Sequence, residues 1–151
     1  MSGAGAARHT QRARRLCRPV SLLNTYLVED SAVIRDNLIA TLQELAPVSV
    51  LGYATDEASA VRWLAAPGHG VDLLIVDLFL HTGSGLGVLR AAHDLPGVGK
   101  MAVLSNYATP DMRERCLQLG ADRVFDKSTE IDALIAYCVA LAEPVNVSSR
   151  S

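Results

Sequence analysis

"VDLLIVDLFL", residues 71–80, is the stretch on which the fold turns. Leu, Ile and Val at 73–76 read as a buried strand, yet Asp77 sits inside the apolar run. An ionised carboxylate buried without partners is costly enough that it takes up a proton instead. Asp77 therefore either ends the strand or is compensated by charge brought from elsewhere in the chain.

Working outward, short apolar runs alternate with helical patterns. Upstream, "SLLNTYLV" (21–28) reads as a first strand, and residues 31–46 place Ile34, Leu38, Leu42 and Leu45 at helical spacing until Pro47 ends the helix. "VSVLGYAT" (48–55) is a second strand. Residues 56–66 follow as a helix carrying Ala58, Val61, Trp63, Leu64 and Ala65, stopped by "PGHG". Downstream, residues 84–95 give a third helix, "KMAVLS" (100–105) a fourth strand, and 110–120 a helix with Pro at its start and Gly at its end. "RVFD" (123–126) is a fifth strand, and Ser128 with Glu130 and Asp132 opens the last helix, "STEIDALIAYCVALA". Five βα units in succession imply a parallel sheet covered by helices on both faces, a doubly wound α/β domain. In such sheets ligands sit outside the carboxyl ends of the strands, so Asp77 reads as the end of its strand.

Composition fits one domain: 151 residues, half hydrophobic and a fifth charged, with a sizeable core and little room for a second. The expected organisation is an arm over 1–20, a folded domain over 21–142 and a tail over 143–151. Charge is uneven. The arm holds Arg8, Arg12, Arg14, Arg15 and Arg18 and no acid, so residues 21–151 pit nine basic against sixteen acidic residues, a formal charge of −7. The arm's small residues and arginines favour a disordered tail or a contact with nucleic acid or an acidic partner. Arg14-Arg15 ahead of "SLLNTYLV" superficially matches a twin-arginine export leader. The segment, however, lacks a small-residue cleavage site, runs into Glu29-Asp30 and is too short to span a bilayer, so export and membrane insertion are disfavoured. Cys17, Cys116 and Cys138 have neither C-x-x-C nor metal-ligand spacing, which points to a reduced, cytoplasmic setting with Cys116 and Cys138 as packing residues.

The strand ends define a site. Strand one ends in Glu29-Asp30, strand three in Asp77, strand four in Ser105-Asn106 and strand five in Asp126-Lys127. Taken singly, Asp30 reads as a helix cap, Ser105-Asn106 as a turn and Lys127 as a solvated loop lysine. Together, three carboxylates on one edge repel one another unless a cation joins them, and a hard cation that accepts one or two carboxylates and keeps its waters is Mg²⁺. With Lys127 and the Ser105 hydroxyl added, the inventory suits a phosphoryl group.

On these residues the chain resembles the CheY-like receiver domain of two-component response regulators over about residues 21–141. The motifs are "LVED" after strand one, "VDLLIVDLFL" with Gly85 eight residues past Asp77, "VLSN" after strand four and "GADRVFDK" around strand five. The resemblance implies a flavodoxin/CheY-like (βα)5 sheet in the order 2-1-3-4-5. It implies that Asp77 is the phosphoacceptor, attacking the phosphohistidine of a sensor histidine kinase or histidine phosphotransfer protein. By the same resemblance, Asp30 and Asp77 bind Mg²⁺ directly, Glu29 binds it mainly through water, and the main-chain carbonyl of Phe79 adds an oxygen. Lys127 pairs with a phosphoryl oxygen, and the Ser105 hydroxyl turns toward the phosphoryl group. The protein is then a phosphoacceptor signalling protein and not a turnover enzyme.

Three positions depart from the family pattern. Its usual aromatic switch residue falls at Val124, with Phe125 on the opposite face of the strand. Tyr107 is the nearest aromatic and the expected substitute. Ser128 follows the lysine where many members carry a cis-proline, so a trans bond is expected. Phe79 and Tyr107, both bulky, would flank the path of a hydrolytic water.

The short tail after the last helix leads us to expect a stand-alone receiver with no DNA-binding domain, whose output is a protein surface. By resemblance that surface is the helix 4, strand 5, helix 5 face, which also serves for homodimers; Arg113, Arg115, Arg123 and Asp132 are its candidates. Ala32, Val33, Arg35 and Asp36 of the first helix are the candidate kinase-docking residues. Other classes fit less well. "TGSGLG" follows the third strand and fails G-x-G-x-x-G spacing, which disfavours dinucleotide binding. A haloacid-dehalogenase-type phosphatase needs a second aspartate where Phe79 stands. The runner-up is a receiver fold acting as a constitutive interaction module without phosphorylation.

Overall fold

The computed structural model of the protein describes residues 22–143; the expectations for the basic arm, for Cys17 and for the tail beyond 143 lie outside them. Five strands, β1 (Leu23–Val28), β2 (Val48–Ala54), β3 (Val71–Val76), β4 (Val98–Ser105) and β5 (Arg123–Asp126), alternate with five helices. These are α1 (Ala32–Leu45), α2 (Glu57–Ala65), α3 (Gly85–His93), α4 (Pro110–Gln118) and α5 (Ile131–Ala142). All strand pairs are parallel in the order β2-β1-β3-β4-β5, the doubly wound topology that the alternation implies. β3 lies in the middle, and its Leu73–Val76 are fully or almost fully buried because helices cover both sheet faces.

Side-chain alternation divides the core in two. Tyr26, Val28, Leu74, Val76, Met101, Val103 and Val124 pack on one face with α2, α3 and α4, through Ala60, Leu64, Val88, Leu89 and Cys116. Leu27, Leu73, Ile75, Ala102, Leu104 and Phe125 pack on the other with α1 and α5, through Leu38, Leu42, Leu134 and Cys138. Val124 and Phe125 thus face opposite ways, and Cys116 and Cys138 are buried packing residues, both as expected. Val28, Val76, Val103 and Val124 stand in register across four strands, so the chain leaves the sheet along one edge.

Element boundaries differ from the sequence expectations at two informative places. β4 starts at Val98, not Lys100, because Val98 pairs with Val71 through the main chain although residues 98–100 are not buried. α5 begins at Ile131, not at Ser128. The Asp126 carboxylate accepts the amides of Ser128 (2.7 Å) and Thr129 (3.2 Å), holding 126–129 in a turn. Ile34 and Leu45, placed on the apolar face of α1 by spacing, are exposed, and α1 instead buries Leu38, Leu42 and Arg35. The Arg35 guanidinium lies 3.9 Å from the centroid of the Tyr53 ring, which removes it from the expected docking set.

Arg113 likewise is no free surface charge. It donates to the Ala108 carbonyl (2.9 Å), the Val124 carbonyl (2.9 Å) and the Glu130 carboxylate (2.8 Å), tying α4 to β5 and the start of α5. Arg123, Arg115 and Asp132 are exposed, with the Arg123 guanidinium 4.9 Å from the centroid of the Tyr137 ring. Among the described residues no helix is long and apolar enough to cross a membrane.

One glycine fixes how closely α3 approaches the end of β3. A Cβ on Gly85 would stand 2.3 Å from the Asp77 carbonyl oxygen and 2.7 Å from the Leu78 Cα, both main-chain atoms that have no rotamer to yield. Gly85→Ala must therefore push α3 away from Asp77, and we expect it to lower stability in urea unfolding by about 1–3 kcal/mol, the usual cost of overpacking.

Candidate functional site

The three acids sit where β1 and β3 leave the sheet. Their backbones are still paired with neighbouring strands: the Glu29 amide donates to the Ala54 carbonyl (3.0 Å) and the Asp77 amide to the Val28 carbonyl (2.9 Å). The carboxylates therefore ride on rigid supports. Glu29 and Asp77 are buried, Asp30 is partly buried, and one oxygen from each lies within 4.8 Å of the others.

Lys127 is not a solvated lysine. Its amide continues the β4–β5 ladder by donating to the Ser105 carbonyl (3.0 Å), and its side chain, 10% exposed, turns inward. Nζ stands 2.8 Å from Glu29 Oε1 and 3.3 Å from Asp77 Oδ2. Asp30 is not the cap of α1 either: Ser31 takes that place, its hydroxyl accepting the Ile34 amide (3.3 Å), while Glu29 accepts the Ser31 amide (3.1 Å). Asp30 is left to face the site, where its Oδ2 accepts the amide of His81 (2.7 Å).

Electrostatics show what the cluster lacks. Burial, and then the charge of Glu29, push Asp77 up to about 6 from its ordinary 3.8, against the opposing pull of Lys127 and the Phe79 amide. For Lys127, burial acts to lower the pKa, but its hydrogen bond to Glu29 and the charges of Asp77 and Glu29 outweigh that and raise it. One lysine cannot neutralise three acids, and a divalent oxygen-ligated cation fits the remaining deficit.

The other expected residues gather around this core. Ser105 is fully buried, and its Oγ accepts the Tyr107 amide (3.0 Å), as a turn residue would. Phe79, two residues past Asp77, and Tyr107, two past Ser105, are 51% and 61% exposed, their rings edge to face with centroids 4.9 Å apart. No aromatic occupies position 124, and no peptide bond in the described residues is cis, so Lys127–Ser128 is trans as expected. Sequence reading missed His81, whose Nε2 lies 3.6 Å from Asp30 Oδ2. It also missed Glu57, whose carboxylate accepts the Ser84 amide (2.9 Å) in the loop after β3. The only signal for His81 was its place four residues beyond Asp77. Glu57 gave none, since its contact spans 27 residues.

A family profile described as "Response regulator receiver domain" matches residues 25–138. The "Probable transcriptional regulatory protein" of Picosynechococcus sp. is 31% identical over 120 residues, 76% of this chain and 47% of that protein. The "Gliding motility regulatory protein" of Myxococcus xanthus is 31% identical over 119 residues, 72% of this chain and 14% of that protein. The chain thus spans about half the length of the first and a seventh of the second. Among solved structures, a response regulator protein from Burkholderia pseudomallei, determined with a phosphorylated aspartic acid, calcium ion and citrate, superposes with a TM-score of 0.64. It is 23% identical, covering 85% of this chain and 70% of that one. The CheX-CheY-BeF3-Mg+2 complex from Borrelia burgdorferi superposes with a TM-score of 0.69 at 16% identity, covering 79% and 88%.

The charge deficit has a measurable consequence. Because the Asp77 pKa is higher in the folded chain than in the unfolded one, the stability it contributes is complete below about 3.8 and is lost as pH rises through about 6. In EDTA at pH 7.5, Asp77→Asn should therefore be more stable than wild type by roughly 1–2 kcal/mol, less than the full shift implies because Lys127 loses a partner. The gain should vanish near pH 4, as read by urea unfolding. An equal or lower stability of the variant at pH 7.5 would refute this account.

Proposed function

The chain belongs to the response regulator receiver domain family, and from that premise we propose that it is a phosphorylation-dependent signalling switch with Asp77 as phosphoacceptor. The observation that carries the proposal is a carboxylate at the end of the central strand, buried against Glu29 and Lys127 and short of positive charge. An Asp77 carboxylate oxygen attacks the phosphorus of a phosphohistidine on a sensor histidine kinase or phosphotransfer protein. The P–N bond breaks, the imidazole leaves with the electron pair and takes up a proton, and an aspartyl phosphate remains.

Asp30, Asp77 and the Phe79 carbonyl would hold Mg²⁺, with Glu29 acting mainly through water; when bound, the ion supplies positive charge to the phosphoryl oxygens. The chain does the positioning. β3 holds the nucleophile, Lys127 exchanges its carboxylate partner for a phosphoryl oxygen, and the Ser105 hydroxyl releases the Tyr107 amide to reach the new group. Since Tyr107 N–H and Ser105 Oγ are already bonded, movement of that hydroxyl is felt first at Tyr107, which supports its role as switch in place of an aromatic at 124. Phosphorylation then shifts a two-state equilibrium and alters the α4-β5-α5 face, the proposed surface for a downstream protein or a homodimer.

The kinase side is proposed at α1, with Ala32, Val33 and Asp36 exposed. There a groove of about 350 Å³ lined by Ile34, Leu38, Leu104, Asn106, Lys127 and Ile131 opens beside the site. A cytoplasmic location follows from such partners.

Two outcomes are expected. Incubation with Mg²⁺ and acetyl phosphate, followed by intact mass measurement, should add one phosphate to wild type and none to Asp77→Asn; no gain, also with a cognate kinase, would favour the constitutive module. Second, the Phe79 and Tyr107 rings, packed edge to face just past Asp77 and Ser105 in the chain, should exclude water from the phosphoryl group. The double variant Phe79→Asn, Tyr107→Glu should lose phosphate faster than wild type, on the order of tenfold if a water-positioning group is gained. Equal or slower loss would count against the shield.

A further inference from the structure

The loop between β3 and α3 carries the Phe79 carbonyl, the proposed main-chain ligand of the cation, and it is gripped from a neighbouring helix. Glu57, the first residue of α2, meets it twice. Its main-chain amide donates to the Thr82 carbonyl (3.3 Å), and its carboxylate Oε1 accepts the Ser84 amide (2.9 Å). Ser84 in turn faces Phe79 as an isolated antiparallel bridge, beside which the Gly85 amide donates to the Leu78 carbonyl (3.0 Å). Each residue of the bridge is thus held by a carboxylate of its own: Ser84 by Glu57, and Phe79 by Asp77, whose Oδ1 accepts the Phe79 amide at 3.4 Å.

Two glycines make room for this grip. A Cβ on Gly83 would run into the Glu57 Cβ, and one on Gly87 would run into Glu57 Oε2. The half-buried carboxylate therefore occupies a notch at the start of α3, where the positive end of the helix favours an anion.

We propose that Glu57 is a positioning residue for the cation site: by fixing Ser84 across the bridge from Phe79, it sets where the Phe79 carbonyl points. The inference rests on the cation site proposed above, in which that carbonyl supplies one oxygen. Mg²⁺ demands near-octahedral geometry at about 2.1 Å, so a ligand carried on a loop serves it only while the loop is held. Partners that orient a ligand from behind typically contribute roughly 10- to 100-fold in metal affinity.

Three substitutions separate positioning from charge. Glu57→Ala removes acceptor and charge, Glu57→Gln removes only the charge, and Gly87→Ala keeps Glu57 but places a methyl where its Oε2 lies. The full chain is titrated calorimetrically with Mg²⁺, and hydrogen exchange of the Ser84 amide is followed by NMR. The Mg²⁺ affinity should fall on the order of tenfold in Glu57→Ala and in Gly87→Ala, with faster Ser84 exchange in both, and Glu57→Gln should recover most of the affinity and the protection. Combining Glu57→Ala with Gly87→Ala should cost no more than either alone, because both remove the same contact. Unchanged Mg²⁺ affinity in Glu57→Ala and Gly87→Ala would overturn the role of Glu57 while leaving the cation site intact. Equal losses in Glu57→Gln and Glu57→Ala would mark an effect of charge and overturn positioning as well. If wild type does not bind Mg²⁺, the cation site fails and the inference fails with it.

Discussion

One ammonium group, the Lys127 Nζ, lies between two buried carboxylates, and the geometry of the domain can be read as the means of keeping it there. Glu29 and Asp77 come from β1 and β3, which are adjacent in the sheet, while Lys127 comes from β5 at the far edge. Only a parallel sheet releases all three strands along one edge, and only alternating helices on both faces let the strands run parallel. The division of the core into two layers, with Val124 on one side and Phe125 on the other, leaves β5 aligned so that Lys127 turns inward immediately beyond its end. The lysine offsets part of the acidic charge and leaves the rest, which is why the same arrangement both folds and calls for a second cation.

Much of this was legible in the sequence because it depends on local pattern. The apolar run before Asp77, the Pro and Gly around α4, and the four residues of β5 each carry their own signal, and the strand order followed from resemblance. What was not legible depends on the main chain or on distant partners. β4 gains residues 98–100 by pairing alone, without burial. Ser128 carries the composition of a helix cap, yet the Asp126 carboxylate captures its amide first. Arg35 and Arg113 read as surface charges, but one lies over Tyr53 and the other ties three segments together. Asp30 taken singly reads as a cap, and only the set of strand ends assigns it to the site; Ser31 takes the cap, and the aspartate stays with the site, where His81 from 51 residues away meets it.

The departures from the family pattern are themselves coherent. Where position 124 is valine, packed in the core with α4, nothing at that point of β5 can swing between core and solvent. The aromatic contact lies instead beyond Ser105 in the chain, where Tyr107 and Phe79 meet edge to face. Arg113 meanwhile bonds the Val124 carbonyl and Glu130, so α4, β5 and the start of α5 are tied to one another.

β5 is four residues long and lies at the edge of the sheet, paired on one side only. Such a strand has little adhesion of its own and belongs among the first parts of a domain to peel open. Here, however, opening would carry Lys127 out with it and leave Glu29 and Asp77 facing each other in a buried site. The frayed state is therefore not merely a sheet short of a few hydrogen bonds, but one with two unshielded like charges. Electrostatic repulsion in the open form clamps the weakest strand shut, so the charge set gathered at the strand ends also serves as the closure of the fold.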